Sequence, residues 1–437
     1  MNRTLLKKAA IQSVALMMAV VTLSYALHQY QTVTISASDM SDSESASASE
    51  ETSVSYEVDF NTSDDDMSQS LPLGLDNEMQ GNDTDPQHAT FNELMNRADT
   101  DIISQMCERY LVIKKPMGDN VTFQLEDLYV TKSIRILLTG LTRDVMDSSS
   151  IGRVNNGGDF VGDPLYTESI TPGVVTEEGT SEPVITKDYG NDLVHGITIT
   201  TQYNEVTKHY NAELLIELNS VYAHVIHEDE EYYYIDLRKV QEVYDKVLVI
   251  DAGHGGKDGG ALSHGEKYFE KNINLDILLQ LKELLDKENI KVYYTRTADD
   301  KVFLRPREEL ANAVDCDFFI SIHNNASEAT WPNGTEILYC DTEFKGVKAK
   351  DLAEIMKTEL GKTISLEQRG LVKEMAEDIF ILQKAIVPAV IIEVGYMTNN
   401  NDMDYLSSSE NRKAVAQGIY NGIMKAYETF NVANDGK

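Results

Sequence analysis

Four side chains in this sequence have the types and placement to do chemistry. His254 comes three residues after the apolar run "VLVID", inside "DAGHGGKDGGA". His323 closes "FFISIH", and Glu393 closes "AVIIE". Glu270 opens "EKNINLDILLQLKELLDKEN", after the loop that leaves His254. In an open parallel sheet, ligands bind beyond the carboxyl ends of the strands. Three of the four groups fall at such ends and the fourth begins a helix, so all converge on one edge. Two His and one Glu make a catalytic zinc set with a position left for water. A further carboxylate would transfer protons. Zinc can bring the pKa of bound water to about 7 and polarise a carbonyl, which suits hydrolysis of an unactivated amide.

Each residue has a plainer reading. A lone His after a strand is more often structural. A carboxylate embedded in "VIIEVG", as Glu393 is, must be paired, liganded or exposed at a strand end. His264 lies in the same loop as His254 but in a polar turn, and is set aside. A phosphate loop fails on detail, because Lys257 is followed by Asp258 rather than Ser or Thr. The dinucleotide pattern fails too, since Asp258 takes the third glycine's place. There is no G-x-S-x-G for a serine hydrolase. Spacing alone leads to a metallohydrolase and not to a substrate.

The elements that must position these groups are legible from Lys246 onward. "KVLVID", "DFFISIH" and "PAVIIEVG" read as strands. The segment after Glu270 places Ile277, Leu278, Leu281, Leu284 and Leu285 at helical spacing. "VKAKDLAEIMKTELGK", with Leu352, Ile355, Met356 and Leu360 inward, and "NRKAVAQGIYNGIMKAYETF" are further helices. Alternating strands and helices predict an α/β domain over 244–437, a mainly parallel sheet with helices on both faces. Residues 106–243 read as a small all-β, sandwich-like domain, from "SIRILLTG", "HGITITTQY", "AELLIELNS" and "EYYYIDLRKV". Its His224 and His227, three apart on a strand, would face opposite ways and make a poor metal pair.

Residues 32–105 are rich in Ser, Asp and Glu, with almost nothing to bury, and read as a disordered acidic linker. Residues 1–31 carry Arg3, Lys7 and Lys8 before an apolar stretch, Ala9 to Leu27. They read equally as a cleaved signal peptide and a retained membrane anchor, and both export the rest. The formal charge is −34. From Lys246 on there are 23 Lys+Arg against 31 Asp+Glu, a net of −8, leaving 15 against 41, a net of −26, before it. With no basic stripe, such a chain is repelled by nucleic acid. Three cysteines without metal spacing make no disulfide scaffold, and Cys316 and Cys340 read as small apolar residues at strand ends.

Five ordered blocks, "VLVIDAGHGGKDGGA", "EKNINLDI", "TRTADDKVFLRPREELAN", "FISIHNNA" and "AVIIEVGYMTN", resemble the zinc-dependent N-acetylmuramoyl-L-alanine amidases of the AmiC/CwlV-like catalytic family. The resemblance implies a secreted peptidoglycan hydrolase of the cell wall. It would cleave the amide between the lactyl group of N-acetylmuramic acid and the L-alanine of the stem peptide. It places zinc on His254, Glu270 and His323 and makes Glu393 the catalytic acid/base. Ala252, Asn324 and Tyr396 stand where the family more often has proline, alanine and phenylalanine. Some relatives carry a helical insert over the zinc, and the stretch from Asn324 to Ile392 leaves no room for one. The β-rich region more loosely resembles an AMIN-type wall-targeting domain. Two other readings are a catalytically inactive wall-binding or activator protein, and a zinc peptidase acting within the stem peptide.

Overall fold

The computed structural model describes residues 106, 110–142, 146–148, 150–154, 166–173, 175–176, 179–180, 183–265, 267–374 and 379–430. The expected leader over 1–31 and linker over 32–105 lie outside the described residues. Among the described residues, no helix is long and apolar enough to cross a membrane.

The run "VLVIDA" is apolar and β-branched, and as strand β11 (Val247–Ala252) it is buried at every position, which requires cover on both faces. It lies in a six-stranded sheet with β12 (Lys291–Tyr294), β13 (Phe318–Asn325), β14 (Thr335–Tyr339), β15 (Gln368–Lys373) and β16 (Ala389–Tyr396). The order is β12-β11-β13-β16-β14-β15. All neighbours are parallel except β16 and β14, which run antiparallel. The expected mainly parallel sheet is present, with two reversed strands, β14 and β15.

Helices α2 (Glu270–Leu285), α4 (Ala349–Thr363) and α7 (Ser409–Phe430) supply the apolar cover on one face. In α2, Ile277, Leu278, Leu281 and Leu285 are buried, whereas Leu284 is only half-buried. The other face is thinner. It holds α3 (Leu304–Ala313), α5 (Phe380–Lys384) and the one-turn α1 (Val240–Val243), together with Val221 and Ala223 from the β-rich region. Cys316 and Cys340 are buried free thiols, as small apolar residues would be.

The β-rich region forms two sheets. One has four strands, ordered β9 (Ala223–Glu228), β10 (Tyr232–Arg238), β1 (Tyr110–Lys114) and β4 (Ile151–Val154). The other has six, ordered β2 (Gly118–Leu128), β3 (Ser133–Leu141), β8 (His209–Leu218), β7 (Val194–Asn204), β6 (Val184–Asp188) and β5 (Thr167–Thr171). Inward residues of both sheets share one core, Leu111, Ile136, Ile199, Leu214 and Ile235 among them. The alternation of Ile197, Thr198, Ile199 and Thr200 is real: both isoleucines are buried and both threonines are not. This region touches the parallel sheet through Tyr129, whose hydroxyl donates to the Tyr294 carbonyl at 2.9 Å.

Helices α4 and α7 approach closely at Gly418, where an added Cβ would lie 3.2 Å from the Leu360 Cα and 2.3 Å from the Thr363 hydroxyl. Helix propensity alone favours replacing a mid-helix glycine by about 1 kcal/mol. The close contact outweighs it for a branched side chain. Gly418→Val therefore lowers unfolding free energy by about 1–3 kcal/mol, read from urea denaturation midpoints.

Candidate active site

His254 sits on backbone that few residues adopt. Its φ is 63°, and Gly255, Gly256 and Gly260 also have positive φ. Strain of this kind needs surrounding structure to hold it. The hold begins at Asp251, fully buried three residues earlier. Asp251 pairs with the buried Arg307 at 2.5 Å and accepts from the hydroxyls of Ser321 at 2.5 Å and Thr295 at 2.6 Å. Burial opposes its ionisation, yet the Arg307 charge and these hydrogen bonds hold its carboxyl below the usual range. Arg307 also donates to the carbonyls of Ala252 and His254, both at 2.6 Å. Arg296 donates to those of Ala252 at 3.0 Å and Gly253 at 2.9 Å. Two guanidinium groups thus pin three successive carbonyls.

Glycine is required in this loop because the site is crowded. A Cβ at Gly253 would fall 2.2 Å from the His323 ring. One at Gly260 would fall 2.5 Å from the Glu270 carboxylate and 2.7 Å from the His254 ring.

Glu270 lies between the two histidines. Its Oε2 is 3.1 Å from His254 Nε2, and its Oε1 is 2.9 Å from His323 Nδ1. It also accepts from the backbone N–H groups of Ala261 at 2.8 Å and Asn324 at 3.0 Å, and from the Asn274 amide at 3.2 Å. Position in the first turn of α2 adds a favourable helix dipole. Burial opposes ionisation, but the two histidines keep this carboxyl well below the ordinary range. In return, and against their own burial, Glu270 raises both imidazoles, His323 to about 9. His254 Nδ1 meets Asp258 Oδ1 at 3.0 Å. One atom from each of His254, Glu270 and His323 lies within 4.8 Å of the others, a grouping able to hold a metal ion.

Glu393 is the direct register partner of His323 across β13 and β16. Its Oε2 is buried without a hydrogen-bond partner. Burial pushes its carboxyl up to about 7, a rise that His323 moderates and Glu270 reinforces. On its other side its register partner is Glu336, which accepts from Arg369 at 2.6 Å, Tyr396 at 3.1 Å and Asn325 at 3.2 Å. All four residues singled out from sequence therefore meet at one sheet edge. The strands run on past them, to Asn325 and Tyr396, so His323 and Glu393 precede the ends rather than forming them. His264 is exposed in its turn and outside the cluster. His224 and His227 are buried in the β-rich region.

Sequence reasoning missed Asp251, Arg296, Arg307, Asn274 and the contribution of Asn324, whose amide donates to Asn274 at 2.7 Å. The available signal was Asp251, an acid in an otherwise apolar strand, which demands a buried cation. Beside the imidazoles lies a cleft of about 230 Å³, walled by Lys301, Val302, Phe303, Leu304 and Ile381.

A family model described as N-acetylmuramoyl-L-alanine amidase matches residues 248–425. An uncharacterized protein of Bacillus subtilis (strain 168), YqiI, is 34% identical over 43% of this chain and 88% of its own length. N-acetylmuramoyl-L-alanine amidase CwlM of Bacillus licheniformis is 34% identical over 41% of this chain and 68% of its own. N-acetylmuramoyl-L-alanine amidase LytC of Bacillus subtilis (strain 168) is 31% identical over 42% of this chain, which spans 36% of LytC.

Two outcomes follow from the geometry. Removing either member of a buried ion pair strands the other, so Arg307→Met costs about 3–5 kcal/mol of stability in chemical denaturation. The raised Glu393 carboxyl, at about 7 in the folded metal-free chain, favours folding while protonated. That contribution is complete below the unfolded value, near 4.3, and is lost as pH rises through 7. Glu393→Gln removes the titration. In chelator, the variant melts above the parent at pH 8.5, by roughly 2–3 kcal/mol, and level with it at pH 4.

Proposed function

The chain belongs to the N-acetylmuramoyl-L-alanine amidase family, and on that premise we propose that it hydrolyses the amide joining N-acetylmuramic acid to the L-alanine of the peptidoglycan stem peptide. The observation that carries this reading is the meeting of His254, Glu270 and His323, from three separate segments of the matched residues, with Glu393 in register beside them.

In this reading His254, Glu270 and His323 hold zinc. Two imidazoles and one carboxylate are the donor set of catalytic zinc. The Asp258 carboxylate on the far ring nitrogen of His254 is the outer partner such a ligand uses to fix its orientation. When bound, zinc supplies acidification of water and polarisation of the scissile carbonyl. Glu393 takes the proton of the attacking water and delivers it to the leaving nitrogen. A carboxyl pushed by burial to about 7 can accept and return a proton near neutral pH. The cleft beside His254 receives the substrate while Gly253 and Gly260 keep the approach clear.

For the remainder of the chain, we assign residues 1–31 to export, with membrane anchoring if they are retained. Residues 32–105 act as an acidic tether and 106–243 as an AMIN-like wall-targeting domain. The enzyme would then act on the outer side of the membrane, in the cell wall.

Digestion of purified peptidoglycan, with mass spectrometry of the new termini, tests the reaction. The expected products are stem peptides with a free L-alanine amino group and glycan with unsubstituted lactyl carboxyls. A chelator abolishes both and zinc restores them. Glu393→Gln lowers kcat about 10²–10⁴-fold. New termini inside the stem peptide would make the protein a peptidase, and none at all an inert wall-binding protein.

A further inference from the structure

Trp331 is the single tryptophan of the chain, and 75% of its surface is exposed. One exposed aromatic is ordinary by itself, and it is the position of this one that gives it meaning. The residue stands in the loop 326–334, between β13, which carries His323, and β14.

That loop is firmly held. Ser327 N donates to the Thr398 hydroxyl at 3.1 Å, and the Asn399 amide to the Thr330 carbonyl at 2.9 Å. The Asn333 amide donates to the Trp331 carbonyl itself at 3.2 Å, and Gly334 N to the Asp402 carboxylate at 2.7 Å. Thr398 and Asn399 belong to the turn directly after the strand of Glu393. The backbone under the indole is therefore fixed while the ring is unpacked. Because β14 runs antiparallel to β16, its first residue lies at the edge where β13 and β16 finish. Both ends of the loop therefore lie at the catalytic edge.

The site thus has two unlike walls. On the His254 side, Phe303 and Leu304, 66% and 57% exposed, stand with Lys301 along the cleft. This apolar surface, whose Phe303 ring is faced by the Lys301 ammonium at 4.8 Å, suits a peptide bearing carboxylates. On the Glu393 side stands the loop that carries Trp331, a flat indole with a polar N–H tip. Its face matches the C–H face of a pyranose, and its edge can donate to a ring substituent. A scissile amide between sugar and peptide has one such partner on each side.

We propose that Trp331 is a stacking platform for a saccharide ring of the glycan strand, and so a specificity determinant on the Glu393 side of the site. The inference rests on the amidase reading above. With one tryptophan beside 22 tyrosines, emission excited at the red edge, beyond tyrosine absorption, reports this ring alone. Zinc-loaded, full-length Glu393→Gln is titrated with N-acetylglucosamine oligomers and, separately, with free stem peptide. The oligomers shift the emission and the peptide does not. In the active chain, Trp331→Ala raises KM on polymeric peptidoglycan roughly 2- to 12-fold, the worth of one aromatic stack. Its kcat stays level, and Trp331→Phe recovers some of the loss.

The proposal is overturned if the peptide moves the emission and the oligomers do not. It also fails if emission changes with protein concentration alone, which would report a second copy on the ring, or if Trp331→Ala matches the parent. The two readings fail separately. A parent that releases no stem peptide while oligomers still shift the emission sinks the amidase and spares the stack. Cleavage with a silent indole does the reverse.

Discussion

Asp251 lies near the end of a strand with none of its surface exposed, and the geometry of the site follows from how that charge is compensated. Taking a carboxylate out of water costs several kcal/mol even after relaxation. Arg307, brought from α3, returns most of that through a direct pair, and the Ser321 and Thr295 hydroxyls fill the remaining lone pairs. A guanidinium has five donors in a fixed plane. Those not directed at Asp251 fall on the carbonyls of Ala252, His254 and Val302. Arg296 repeats the pattern from the neighbouring turn. The loop adopts its strained path because its carbonyls are already committed to two planar cations.

Glu270 has the same organising role a layer higher. It draws hydrogen bonds from a loop, the strand β13, a helix side chain and two imidazoles. In the metal-free chain its negative charge is balanced by imidazoles whose proton affinity it has itself increased. In the proposed reading, a dication held here would take the place of those protons, so its uptake would release protons and its affinity would fall as the medium becomes acidic.

The fold of residues 247–430 was legible because fully apolar strands alternate with amphipathic helices, patterns that survive any detail of packing. The four site residues were legible because polar groups at strand ends must have a purpose or a partner. The supporting residues were not. Arg307 and Asn274 look like ordinary helix residues until tertiary structure brings them beside Asp251 and Glu270. Helical periodicity overstated Leu284, which stands at the margin of the buried stripe of Ile277, Leu278, Leu281 and Leu285. The reversal of β14 and β15 carries no local mark, because a segment such as "EILY" reads the same in either direction.

The strand order of the parallel sheet has a further meaning. The strand that carries Glu393 lies in the interior of the sheet, between β13 and β14, yet among the described residues it is the last strand in sequence. It fills a gap that every earlier strand must leave open. Its pairing with β13 spans about seventy residues, a loop closure that slows folding. Until it docks, the incomplete sheet has unsatisfied edges and lacks its proposed proton carrier. A chain emerging from a ribosome therefore passes through most of its length as a latent hydrolase. The insertion of one eight-residue strand completes the sheet and the catalytic constellation in the same event.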